Sequence, residues 1–193
     1  MAVMGTCIYP YLVDPLRLGQ VYGSGDLELE RAVFSQGDWP PRREELSEAA
    51  ADHALDTIIN GGELSSDRRV LYTLVLEQVC ATLGSTASGS CDHDDVEIQT
   101  DDLIHTVNEV LRRLGVAEIM PVEYEDHPFL PGLGATIGAP TIEVFSASEC
   151  ARVSRVLKAR WQDLTRNERA VLFSTLRLLD RRRAHDALVL FSY

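Results

Sequence analysis

"PGLGATIGAPTIEVF", residues 131–145, decides between two fold classes. Read as a dinucleotide-binding loop, Gly132, Gly134 and Gly138 would follow a buried strand and open directly into a helix, and the chain would be an α/β protein. Read as a turn, the same glycines deliver the chain into a strand, TIEVF. The spacing is G-x-G-x-x-x-G, one residue too long for the dinucleotide fingerprint. The residues before it, VEYEDHPFLP, are acidic and hold two prolines, so no buried strand leads in. The residues after it are Pro140 and a β-branched run, so no helix N-terminus faces the loop to receive a pyrophosphate. The G-K-[ST] of a Walker loop is absent. The stretch is therefore read as a turn region between an acidic segment and a core strand.

Working outward, Ser146 and Glu149 have capping-box spacing and open a helix to about Trp161; Thr165 and Glu168 repeat the device for a helix to about Arg183. ALVLFSY, 187–193, reads as a terminal strand, and TCIYPYLVD, 6–14, as another, with Pro10 marking an edge or a bulge. Asp14 before Pro15 is an N-cap with proline at the first helical position, and Asp26 can cap LELERAVFS. A helix over about 43–59 ends at the NGG of 60–62. The segment 67–84, DRRVLYTLVLEQVCATLG, is apolar on nearly all sides and so predicts a central helix. After a polar loop at 85–100, Thr100 can cap a helix whose Leu103, Val107, Val110, Leu111 and Leu114 make one apolar stripe. The expected class is α+β, predominantly helical. Six or seven helices join a small sheet formed by strands near the N-terminus, at 141–145 and at the C-terminus. Residues 1–193 are expected to make one domain, with the acidic loop 85–100 as an internal excursion.

The 193 residues are 45% apolar and 25% charged, enough for a sizeable core under an ordinary polar surface. No apolar run approaches the roughly 20 residues of a membrane span. The N-terminus lacks the basic start of a secretion signal, and the four cysteines are too scattered for a disulfide framework. A cytoplasmic protein without a membrane association is expected. The net charge of −12 is uneven: residues 1–130 hold 24 acids and 8 bases, residues 131–193 hold 6 acids and 10 bases. Such a field repels nucleic acid and attracts cationic partners.

Three constellations invite a chemical reading. In CDHDD, 91–95, Cys91 and His93 have zinc donors and the aspartates suit a hard cation, but a structural zinc needs about four ligands and no second pair stands at the right spacing. No metal and no cofactor are expected. Cys150 falls in the first turn or so of a capped helix, where the dipole lowers a thiol pKa, yet it shares a face with Val153 and Leu157, which favours burial. His53, His93, His105, His127 and His185 stand in no catalytic motif. Arg152, Arg155 and Lys158 line one helix side, and Arg177 and Arg181 to Arg183 gather near the end of the next. A nucleic-acid surface would want a wider basic field with interleaved aromatics, so these bases are expected to pair within the molecule or solvate their face.

The order YPYLVDPLRL … GSGD near the start, YTLVLEQVCATLG in the middle, and SASECARV through LVLFSY at the end resembles an uncharacterised family of small bacterial proteins, a domain of unknown function. The resemblance spans most of the chain; the acidic loop at 85–100 is longer here. It implies one domain in which GATIGAPTIEVF is a turn feeding an interior strand, and it supplies no catalytic residues. The functional expectation is a non-enzymatic acidic binding protein, immunity or antitoxin-like, engaging a basic protein partner through Asp92, Asp94, Asp95, Glu97, Asp101 and Asp102. The alternative is a small enzyme whose site uses Cys150 or a histidine.

Overall fold

Side-chain caps set the helix starts. Asp14 accepts the Leu16 amide at 2.9 Å and opens α1, Pro15–Gly19. Asp26 accepts the amides of Glu28 and Leu29 and opens α2, Leu27–Phe34. Ser47 does the same for α3, Glu48–Asn60. Each bond satisfies an amide that the first helical turn leaves without a partner. These residues belong to a computed structural model that describes 8–37, 39–40, 47–86, 101–124, 126–134 and 141–192. The expected start of α3 at about residue 43 lies outside the described residues; its described part starts at Glu48. The remaining elements are β1, Ile8–Val13; α4, Arg69–Leu83; β2, Ser85–Thr86; α5, Asp101–Arg113; β3, Thr141–Phe145; α6, Ala147–Ala159; α7, Arg166–Asp180; and β4, Ala187–Ser192.

Residue contacts divide the chain into two compact units. One comprises Met1–Leu12, Thr86–Val122 and Ile142–Tyr193; the other comprises Val13–Ser85 and Glu123–Thr141.

The first unit is α+β. Its sheet runs in the order β2-β1-β4-β3, with β2 only a dipeptide. The strand expected at 141–145 is therefore present and pairs with the C-terminal strand. Helices α5 and α6 both pack on α7, and α6 also meets β4. Val107, Val110 and Leu111 of α5 are buried in a core shared with Phe145, Cys150, Val153, Leu157, Leu172, Leu188 and Leu190, so the stripe read from the sequence is the face that packs. The two expected capping boxes differ. Thr165 accepts the Glu168 amide while the Glu168 carboxylate accepts the Thr165 amide at 2.6 Å, a complete reciprocal box. Ser146 accepts the Glu149 amide, but the Glu149 carboxylate turns to Arg152 instead of returning to the cap. Thr165→Ala is expected to cost about 1 kcal/mol, and Thr165→Gly only a few tenths, in urea denaturation.

The second unit is helical among its described residues. Helix α4 packs against both α2 and α3. Tyr72 to Glu77, Val79 and Cys80 are all buried, so this helix is enclosed nearly all round, as its composition predicts. A 3-10 turn at Ser66–Arg68 leads into it, and no side chain caps it. Helix α3 ends where Gly61 turns left-handed at φ +70°. A Cβ there would lie 2.9 Å from the Gly23 Cα, while the Gly23 amide bonds the Ile58 carbonyl at 2.9 Å. Only glycine allows both the handedness and the close approach of these two backbones.

Candidate functional site

The turn that decided the fold class also gathers several polar groups of the second unit. Its described part is Asp126-His127-Pro128-Phe129-Leu130-Pro131-Gly132-Leu133-Gly134. Gly132 and Gly134 both have positive φ, +81° and +76°, so their amides can point to a common centre. What they hold is the chain's own carboxylate. Asp126 Oδ2 accepts the Gly132 amide at 2.6 Å, and Oδ1 accepts those of Gly134 at 2.6 Å and His127 at 2.8 Å. The Gly132 amide first, and then that of His127, hold the Asp126 carboxyl below its ordinary range. The glycines thus do form an anion-binding nest, and it is filled from within. Gly138 lies outside the described residues.

His127 is the second anchor. It is only 4% exposed, and its Nδ1 accepts the amides of Phe129 at 3.2 Å and Leu130 at 3.0 Å. Pro128 and Pro131 contribute no amides of their own, so the imidazole serves the two between them. Burial pushes the His127 pKa down to about 4, against the pull of Asp126 and with a further push from the Arg69 guanidinium. The ring is therefore neutral at pH 7. Because Nδ1 is an acceptor, the proton sits on Nε2, which is buried without a hydrogen-bond partner among the described residues. With its lone pair occupied by two amides, His127 is placed as a donor and not as a general base.

Arg69, the first residue of α4, closes the turn from 64 residues away. Its Nη2 donates to the Leu133 carbonyl at 2.7 Å, and its Nε is buried with no partner among the described residues. A Cβ on Gly134 would stand 3.1 Å from that Nη2, a second reason for glycine here beyond the positive φ. Phe129, Leu130 and Leu133 are buried, as is the His127 ring.

The residues singled out from sequence are distributed differently. Asp92, Asp94, Asp95 and Glu97 lie outside the described residues, as do Cys91 and His93. Asp101 and Asp102 are the first two residues of α5. Cys150 as the reactive group of an enzyme is corrected by the structure. It is fully buried, its Sγ lies 3.6 Å from the Phe145 carbonyl, and burial pushes the thiol up to about 11. A thiol protonated at pH 7 and closed to solvent offers no nucleophile. His53, His105 and His185 are exposed, and His105 lies 3.2 Å from Glu109 on its own helix. Several bases of the first unit are held in surface ion pairs: Arg152 with Glu149, Lys158 with Asp180, and Arg160 with Asp163. Arg113 likewise meets Glu168, and Arg112 meets Glu118. Among the described residues, no three His, Cys, Asp or Glu side chains are grouped to hold a metal ion, and no helix is long and apolar enough to cross a membrane.

Sequence reasoning took the glycine turn as topology and passed over Asp126, His127 and Arg69 as a unit. A signal for the first existed: an aspartate six and eight residues ahead of two glycines, in a proline-bracketed run, is placed to gather their amides. No local signal reaches Arg69. No curated protein and no solved structure matches the chain. From residue 4 to residue 193 it matches one family model, and the chain therefore belongs to the family described as Domain of unknown function (DUF7691).

Proposed function

We propose that the protein is a non-enzymatic binding protein whose acidic surface receives a basic protein partner, in the manner of an immunity or antitoxin-like protein. The observation that carries this reading is the division of charge between the two units. In the first, Arg112, Arg113, Arg152, Arg160 and the single lysine are tied to neighbouring carboxylates. In the second, Glu28, Glu48, Glu63, Asp67 and Glu123 are exposed and have no cationic partner among the described residues. Unpaired surface carboxylates steer a cationic partner and set its orientation, and they do so with little cost to folding. The acids of 91–102 add to the same field in the sequence.

Association with the product of the neighbouring reading frame tests this directly. The on-rate is expected to fall by about tenfold or more between low and high salt, since screening shortens the reach of the field. A complex whose on-rate ignores ionic strength overturns the electrostatic reading. Glu63→Gln with Asp67→Asn is expected to slow association and leave dissociation nearly unchanged, as rim charges do.

A further inference from the structure

Three arginines of this chain present the same edge to a carboxylate. Arg112 donates Nε and Nη2 to Glu118 at 2.9 and 2.7 Å. Arg113 donates Nε and Nη2 to Glu168 at 3.1 and 2.8–2.9 Å. Arg152 donates Nε to one Glu149 oxygen at 3.2 Å and Nη2 to the other at 2.7 Å. This side of a guanidinium carries two parallel N–H bonds whose spacing fits a carboxylate's two oxygens. Arg69 offers the same edge to a single carbonyl. Nη2 reaches Leu133, while Nε is buried beside it with no acceptor among the described residues. The same turn carries a second buried donor without an acceptor among the described residues, Nε2–H of His127. Buried donors left without partners are uncommon in native chains.

We propose that Arg69 and His127 form a binding site for a carboxylate. The ligand's two oxygens take the Nε–Nη2 edge of Arg69, displacing the Leu133 carbonyl from one prong and filling the other. His127 supplies a further neutral donor. Exchanging a neutral acceptor for a charged one strengthens each bond. A carboxylate fits this set better than a phosphate. Its two oxygens match the two parallel N–H bonds of this edge, and the charged groups that meet the same edge elsewhere in the chain are carboxylates. The site is independent of the acidic surface proposed above. Its carboxylate is either a small free acid or the carboxyl terminus of a peptide.

The test follows the Arg Nε–H and His Nε2–H resonances of the full chain by 15N NMR. The probes are sodium acetate, an alanine tripeptide with a free carboxyl terminus, the same tripeptide amidated, and sodium chloride and phosphate at matched ionic strength. Saturable shifts of the Arg69 and His127 signals are expected with acetate or with the free tripeptide. Acetate alone assigns the site to small acids; the tripeptide alone assigns it to chain termini. Arg69→Lys, which keeps the charge without the two-pronged edge, is expected to weaken binding about tenfold or more. His127→Asn keeps an acceptor near Cβ for the two amides, removes Nε2–H, and is expected to weaken binding severalfold with the fold intact. The proposal is overturned if no probe saturates, if chloride, phosphate or the amide acts like the acid, or if Arg69→Lys binds as tightly as the parent.

Discussion

Replacing Phe145 with alanine is expected to destabilise the protein by about 4 kcal/mol, the largest effect of any single substitution considered. Phe145 is fully buried and sits at the junction of β3 and α6, within the core that gathers Val107 and Leu111 from α5, Leu157 from α6 and Leu172 from α7. Removing the ring loses its transfer free energy and leaves a cavity that three helices and a sheet cannot close without moving together. Its position adds to the constraint, because the Phe145 carbonyl faces the Cys150 thiol and the next residue, Ser146, caps α6. Urea denaturation measures the loss, and a drop of roughly 10 °C in Tm is expected for a chain of this size. Phe173→Ala is the contrasting variant. That ring is 54% exposed on α7 and lies beneath Arg177, so its loss is expected to stay near 0.5 kcal/mol. Equal costs for the two phenylalanines would contradict the placement of β3 in the core.

Phe145 also shows why this fold was legible in sequence. A short β-branched run ending in an aromatic residue, followed at once by Ser-x-x-Glu, has one consistent local reading: strand, cap, helix. The cap at Asp14–Pro15, the cap at Asp26 and the apolar stripe of α5 are of the same kind. Each signal lies within one or two helical turns of the element it specifies, so one-dimensional reasoning reaches it. The boundaries that shifted are those decided by tertiary contact. Helix α6 ends at Ala159 before a 3-10 turn at Trp161–Asp163, and Glu149 leaves its expected capping role for Arg152. Arg152 also reaches the carbonyls of Ala117 and Glu118, 35 and 34 residues away, and no spacing rule contains such a partner.

The candidate site was half legible. The glycines of 131–140 were correctly kept from the dinucleotide reading because the elements on either side were wrong for it. Treating them as direction-setting alone passed over the nest that Gly132 and Gly134 do form. An internal aspartate fills that nest, and a motif search for external phosphate has no place for such an occupant. Arg69 was hidden for a different reason. On α4 it reads as one polar residue ahead of an apolar helix, and its significance arises only when the chain returns at Leu133. The Cys150 alternative was decided by burial, which the apolar neighbours Val153 and Leu157 had already favoured.

Acidification from pH 7 to pH 4 is expected to cost the unit holding this turn about 3 kcal/mol through His127 alone. In the unfolded chain the imidazole takes its proton near pH 6.5; in the folded turn it resists until about 4. Below 6.5 the unfolded state binds a proton that the folded state does not, so stability falls as pH falls, and the loss is complete below the folded value. At 1.36 kcal/mol for each pH unit of that gap, the loss is about 2.5 kcal/mol at pH 4.5 and approaches about 3 at pH 4. The geometry gives the same sign. A proton on Nδ1 displaces the amides of Phe129 and Leu130 and sets a second positive charge beside Arg69. Asp126 acts in a separate and lower window. Its carboxyl is held below the ordinary value, so what it contributes is present above about pH 4 and disappears only at stronger acidity. Urea unfolding at pH 7.5 and 4.5 separates the two groups. His127→Asn, which cannot take up a proton, is expected to keep most of the stability that the parent loses between those pH values. Parallel losses in parent and variant would place the acid sensitivity elsewhere and return His127 to a purely packed role.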